Sequence, residues 1–209
     1  MWGVTATAPD AAPADQERKA PGRPRSPRAD EAIIEAVLDL LADGTPAESI
    51  SIESVAARAG VGKATIYRRW SNKEALLVDA VSSVKGEPPK IKGESVRDDL
   101  VTLLRPFAVP PRTLAAKIMP CLYSEIQRSP ELNRGVQKIV EPRRELMRQV
   151  LRRGMDAGEL RADLDVDLVM AMLTGPLIAQ SVVGWNPKLD RTTLPERLVD
   201  TLWPAIAAG

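Results

Sequence analysis

The sequence predicts an all-α protein: an N-terminal three-helix helix-turn-helix unit followed by a larger helical unit, about nine helices in total. Three observations carry this. Apolar residues recur at three- and four-residue spacing along most of the chain, as in Ile33, Val37, Leu40 and Leu41, which is the period of an amphipathic helix. No segment shows the polar–apolar alternation of a strand. Cap residues and Gly or Pro breakers fall between the periodic segments, at Gly44 and Pro46, Ser51, Gly60, Gly86 and Asp165.

Residues 1–25 mix Ala, Pro, Thr and charge without periodicity, the composition of a disordered tail. Its end is basic and stiffened by proline. Arg23 and Arg25 are placed there to follow phosphates or a minor groove. Ser26 is a candidate N-cap with Pro27 at the first helical position. Helix 1 then runs to about Asp43. Residues 26–85 are expected to form the first unit, including the start of a linking fourth helix, and residues 86–209 the second. The composition shift at residues 86–93 (GEPPKIKG) marks the boundary.

Within the first unit, residues 51–70 read SIESVAARAGVGKATIYRRW. Ser51 caps a helix whose Ile52, Val55, Ala56 and Ala59 share a face, with Ile50 and Val55 set for a hydrophobic staple. Ala59, Gly60, Val61 and Gly62 interrupt it, and a second short helix starts at Lys63. A helix, a tight Gly-containing turn and another helix make a helix-turn-helix. Arg58, Lys63, Arg68, Arg69 and Lys73 follow one another with no acid between them. Such a run can form a local binding face although the formal net charge is only +1.

The second unit reads as helices over about 95–107, 112–128 and 129–156, then an eighth helix capped by Asp165. Pro120 and Pro142 are expected to kink or interrupt the second and third of these. The eighth is apolar on most sides and requires cover all round. Residues 193–196 (TLPE) read as a capping box for a ninth helix bearing Leu198, Val199, Leu202, Trp203 and Ile206. The last two helices thereby suggest a twofold dimer interface built from Leu168, Met172, Val182, Leu198, Leu202 and Trp203, the alternative being core packing within one subunit.

Composition narrows the chemistry. The chain has no His, the usual general base and commonest metal ligand, so neither a metal site nor a cofactor is expected. Cys121 stands alone, which excludes an intrachain disulfide and fits a reducing compartment. No run of about 18 apolar residues predicts a membrane span, and an N-terminal signal core is lacking; a cytoplasmic protein is expected. The rival readings are a helical protein-interaction module and a small-molecule enzyme that works without His.

The segment ISIESVAARAGVGKATIYRRWSNKEALL, residues 50–77, resembles the TetR family of bacterial transcriptional repressors. Its Ala-rich helix, Ala-Gly-Val turn, Thr-Ile-Tyr-Arg stretch, aromatic residue and Lys-Glu-x-Leu follow the family pattern. The resemblance implies that Thr65 and Tyr67 contact DNA and that Lys73 meets a phosphate. Two positions depart from the pattern: Gly62 stands where Ser or Thr commonly caps the second helix, and Arg69 where His is frequent. With the helix N-terminus at Ser51, and with Lys63, Ala64, Arg68 and Arg69, these residues complete the expected contact set for a palindromic double-stranded operator. The resemblance also implies a small-molecule pocket in the second unit. Candidate lining residues are Leu103, Leu104, Phe107, Met119, Leu122 and Tyr123, with Ile126, Met147, Leu151, Leu173, Leu177 and Trp185. This largely aliphatic set suits a flexible apolar or amphipathic effector.

Overall fold

The computed structural model describes residues 27–108 and 113–209. Among them lie nine α-helices: α1 (Pro27–Ala42), α2 (Ile52–Ala59), α3 (Lys63–Tyr67), α4 (Lys73–Lys85), α5 (Val96–Leu104), α6 (Leu114–Arg128), α7 (Pro130–Asp156), α8 (Val166–Val182) and α9 (Leu194–Ile206). No strand occurs among the described residues, where one antiparallel bridge joins Leu160 to Ala207. The all-α expectation therefore holds. The expected Ser26 cap and the arm residues Arg23 and Arg25 lie outside the described residues.

Helix α1 buries Ile33, Val37 and Leu41, as their spacing requires. Its covered arc is wider than the pattern indicates, because α2, α4 and α6 all pack on it. Ala36 is consequently buried, whereas Leu40, expected in the core, is only half-buried. Helix α4 starts after Asn72, whose Oδ1 accepts from the Ala75 amide at 2.8 Å. It buries Leu76, Leu77, Ala80 and Val81.

The hydrophobic interior forms two clusters, and they do not divide at residues 86–93. The first joins α1, α2, α3 and α4 to Ile118, Leu122 and Ile126 of α6 and to Leu132 and Val136 of α7. The second joins α5, the later part of α7 through Met147, Val150 and Leu151, α8 and α9. The helix-turn-helix thus closes its core only with α6 and the beginning of α7. The reason is geometric: Leu122 and Ile126, four apart on α6, present one apolar face, and that face lies on the first cluster.

Helix α7 runs without a break through Pro142, contrary to the expected interruption. The proline removes one backbone donor, but packing against both clusters keeps the flanking turns in line. Next to it, Arg143 Nη1 donates to the Ile139 carbonyl at 3.0 Å and Nη2 to the Lys85 carbonyl at 2.8 Å. The capping box predicted for α9 is absent. Thr193 has helical backbone angles (φ −98°, ψ −6°) and no side-chain cap bond, whereas an N-cap needs extended backbone. Glu196 Oε1 instead faces Arg105 Nη2 at 3.3 Å.

Within one subunit helix α8 is only partly enclosed. Val169, Met170, Leu173, Leu177 and Gln180 are buried, but Leu168, Met172 and Ile178 are exposed. Gln180 holds the connection to α9, donating to the Asn186 carbonyl at 2.8 Å and accepting from its amide at 2.9 Å.

Candidate nucleic-acid interface

The turn between α2 and α3 follows from a few backbone requirements. Ser51 Oγ accepts from the Ser54 amide, Ser54 Oγ accepts from the Ser51 amide, and both distances are 3.1 Å. This reciprocal cap fixes the start of α2. At its end Gly60 adopts φ 66°, a left-handed conformation that glycine takes without steric cost. The Val61 amide then reaches back to the Ala56 carbonyl at 3.0 Å. Gly62 precedes α3 in extended conformation and supplies no side-chain cap, in keeping with the departure noted in the sequence.

The short α3 is anchored on one side and open on the other. Ile66 is fully buried and the following Trp70 is 7% exposed, while Tyr67 is 55% exposed. Lys63, Ala64 and Arg68 are exposed beside Tyr67, and Thr65 is half-buried. Trp70 Nε1 donates to Asp79 Oδ2 at 2.7 Å, which ties the end of the motif to α4.

The charge of this region is rearranged by tertiary structure. Arg58 meets Asp39 of α1 at 3.9 Å and Asp43, just past its end, at 2.9 Å. Lys63 meets Glu53 of α2 at 2.8 Å; this shared hydrogen bond raises the Lys63 pKa and lowers that of Glu53. Arg69 pairs with Asp30 and donates to the Thr65 carbonyl at 3.0 Å. Lys73 Nζ donates to the Ala47 and Glu48 carbonyls at 3.2 and 3.0 Å and lies 3.9 Å from Glu125 of α6. The expectation of a cationic face free of acids is therefore corrected. The acids are remote in sequence and adjacent in space. Of the five cations between residues 58 and 73, only Arg68 has a side chain without a hydrogen bond or ion pair among the described residues. Ser51 Oγ and Lys73 Nζ, expected at the DNA, are engaged in holding the motif together.

The residues nominated for an effector pocket do not converge. Leu103, Leu104, Met147, Leu151, Leu173 and Leu177 belong to the second cluster, whereas Leu122 and Ile126 belong to the first. Met119 and Phe107 are half-buried, Tyr123 is 39% exposed and Trp185 77%. Two open clefts flank α4 instead. One, of about 440 Å³, is bordered by Arg69, Trp70, Glu74, Val78, Asp79 and Glu131. The other, of about 380 Å³, is bordered by Ile34, Asp79, Ser82 and Glu87. Neither is lined by a residue nominated for the effector pocket. The nominated dimer residues divide as well. Leu168 and Met172 are exposed and Val182 is half-buried, but Leu198, Leu202 and Trp203 pack against the chain's own second cluster.

Sequence reasoning missed Ser54, Asp79 and Glu131. Ser54, three residues after Ser51, carries a capping signal that was available. The contacts of Asp79 with Trp70 and of Glu131 with Asn72 (2.9 Å) have no local signature, being set by how α4 meets α3 and α7. Among the described residues, no group of three His, Cys, Asp or Glu is arranged to hold a metal, and no helix is long and apolar enough to cross a membrane.

A helix-turn-helix with an outward-facing second helix, mounted on a bundle of longer helices, defines the architecture of a DNA-binding regulator. Residues 33–80 match the family described as bacterial regulatory proteins, tetR family, and residues 92–202 match the tetracyclin repressor-like C-terminal domain. The HTH-type transcriptional regulator YdeS of Bacillus subtilis is 30% identical over 165 residues, covering 78% of this chain and 82% of that protein. The fatty acid metabolism regulator protein of the same species is 24% identical over 183 residues, covering 81% and 91%. Among solved structures, FadR from Bacillus subtilis in complex with stearoyl-CoA superposes with a TM-score of 0.63 at 20% identity, covering 83% of this chain and 96% of that one. A regulator from Saccharomonospora viridis in complex with choline gives 0.67 at 18% identity, covering 88% and 100%. The chain belongs to the TetR family of bacterial transcriptional regulators.

Proposed function

We propose that this regulator acts as a cytoplasmic homodimeric repressor that binds a palindromic operator through α3 and is released by a small apolar or amphipathic effector. The observation that carries the DNA contact is the outward surface of α3, where the exposed Tyr67 stands beside the unpaired Arg68. A phenol hydroxyl and a guanidinium are donors suited to phosphate oxygens or a guanine edge. Lys63 and Thr65 flank them. The pair of Lys63 with Glu53 is solvent-exposed, so a phosphate can take over the ammonium.

The exposed Leu168 and Met172 of α8 support twofold association, since a second copy would cover them. A symmetric dimer presents two α3 helices to half-sites about 34–36 Å apart, or a multiple of that. Support for an acyl or otherwise flexible effector comes from the stearoyl-CoA held by one structural neighbour and from the aliphatic second cluster around α5, α7 and α8. Such a ligand releases DNA only by binding the DNA-incompetent state better.

The test is selection of bound genomic fragments by the native protein, then titration of the selected fragment at several salt concentrations. Binding that weakens steeply with salt is expected. Tyr67→Ala combined with Arg68→Ala should abolish binding while leaving helicity and oligomeric state unchanged. Retained affinity in that variant would remove α3 from the interface.

A further inference from the structure

The orientation of α3 depends on where α4 lies, and one contact limits how closely α4 can approach α7. A Cβ placed on Gly135 of α7 would fall 2.3 Å from Val78 Cγ2 and 3.3 Å from Val78 Cγ1. No side chain fits there. Val78 lies one residue from Asp79, which holds Trp70 at the end of the helix-turn-helix motif. A few residues away, Glu131 of α7 accepts from Asn72, the N-cap of α4. A displacement of α4 at Val78 is therefore carried to α3 through Asp79 and Trp70.

We infer that Gly135 is a positioning residue for the recognition helix: its missing side chain sets the α4–α7 separation at which α3 is correctly aimed at DNA. The inference rests on the DNA-binding reading above. Carbon atoms in contact settle roughly 3.5–4.0 Å apart, so any side chain at residue 135 pushes α4 away by on the order of 1 Å. Valine cannot readily turn aside, because a β-branched side chain in a helix has one strongly preferred rotamer. Helix α7 has a second close approach at Gly154, where a Cβ would fall 2.8 Å from Leu160. That site belongs to the second cluster, away from α4, and so provides an internal control.

The experiment measures affinity for the fragment selected by the native protein, at a temperature where circular dichroism shows every variant folded. Gly135→Ala is expected to weaken binding about tenfold, comparable to losing one good base or phosphate contact. Adding Val78→Ala to that variant removes the crowding and should restore affinity to within about threefold of native. Val78→Ile loads the same crossing from the α4 side by one methylene and should also weaken binding; it serves if Gly135→Ala does not fold. Gly154→Ala should lower the unfolding midpoint and leave affinity near native.

Unchanged affinity in both Gly135→Ala and Val78→Ile overturns the inference. So does a loss that Val78→Ala fails to restore, or an equal loss in Gly154→Ala. If the native protein binds no fragment, the DNA-binding reading itself falls, and the inference with it.

Discussion

Asp99, 2% exposed, holds Arg153 Nη2 at 2.7 Å across the α5–α7 contact while accepting from the Lys92 and Gly93 amides. One carboxylate thus joins the end of the 86–93 connection, α5 and α7. It is the buried charge of the second cluster, and its stability rests on having all these partners at once, since an unpaired buried carboxylate is strongly disfavoured.

Removing it leaves a guanidinium and two amides without their acceptor. Asp99→Ala should cost about 3 kcal/mol, or roughly 10 °C in unfolding midpoint for a chain of this size. Thermal unfolding followed by circular dichroism checks this. A shift of only a degree or two would show that water replaces the carboxylate.

The exposed apolar face of α8 supplies a second prediction, which depends on the proposed dimer. Leu168→Asp with Met172→Asp places two carboxylates where a second copy would seat its own Leu168 and Met172. The variant should sediment as a monomer and lose most operator affinity, because one half-site contributes far less than two linked ones. Since both residues are exposed in the subunit, its own fold should be unaffected. An unchanged sedimentation coefficient would exclude this face from the interface.

A third prediction concerns pH. Burial of the Lys85 ammonium, with the Arg143 guanidinium beside it, holds the lysine pKa below its ordinary value of 10.5. Below that lowered pKa both folded and unfolded chains carry the proton, and the cost of burying it is complete. As pH rises through the folded pKa, the native state loses the proton first, and stability rises until the unfolded chain also deprotonates. Lys85→Met keeps the aliphatic stem and deletes the charge. The variant should be the more stable protein near neutral pH, with its advantage shrinking as pH rises through the lowered pKa toward 10.5. Urea midpoints for both proteins across that range give the answer; a constant difference would mean that Lys85 escapes to solvent.

The elements that were legible in the sequence share a physical feature: their determinants are local. Ser51, Gly60 and Asp165 act within four residues of themselves, so cap, turn and helix start were readable from spacing. The failures have the opposite character. The capping box at residues 193–196 matched in composition, but the loop before it delivers Thr193 in helical conformation. Pro142 looked like a break, and packing of α7 against two clusters carried the helix through it. Lys73 and Arg69 looked like free cations because Glu125 and Asp30 are far from them along the chain.

By itself the sequence determined the all-α class, the position of the helix-turn-helix between residues 51 and 70, and the family to which the chain belongs, since apolar period, caps and a left-handed glycine are short-range properties. Tertiary structure alone decided which cations remain unpaired and how the cores divide, with α6 and the start of α7 closing the first. It also set how closely α4 lies on α7 at Gly135 and Val78. These outcomes depend on contacts between residues 10 to more than 100 positions apart, and a one-dimensional pattern carries no distance between such residues until the helices have packed.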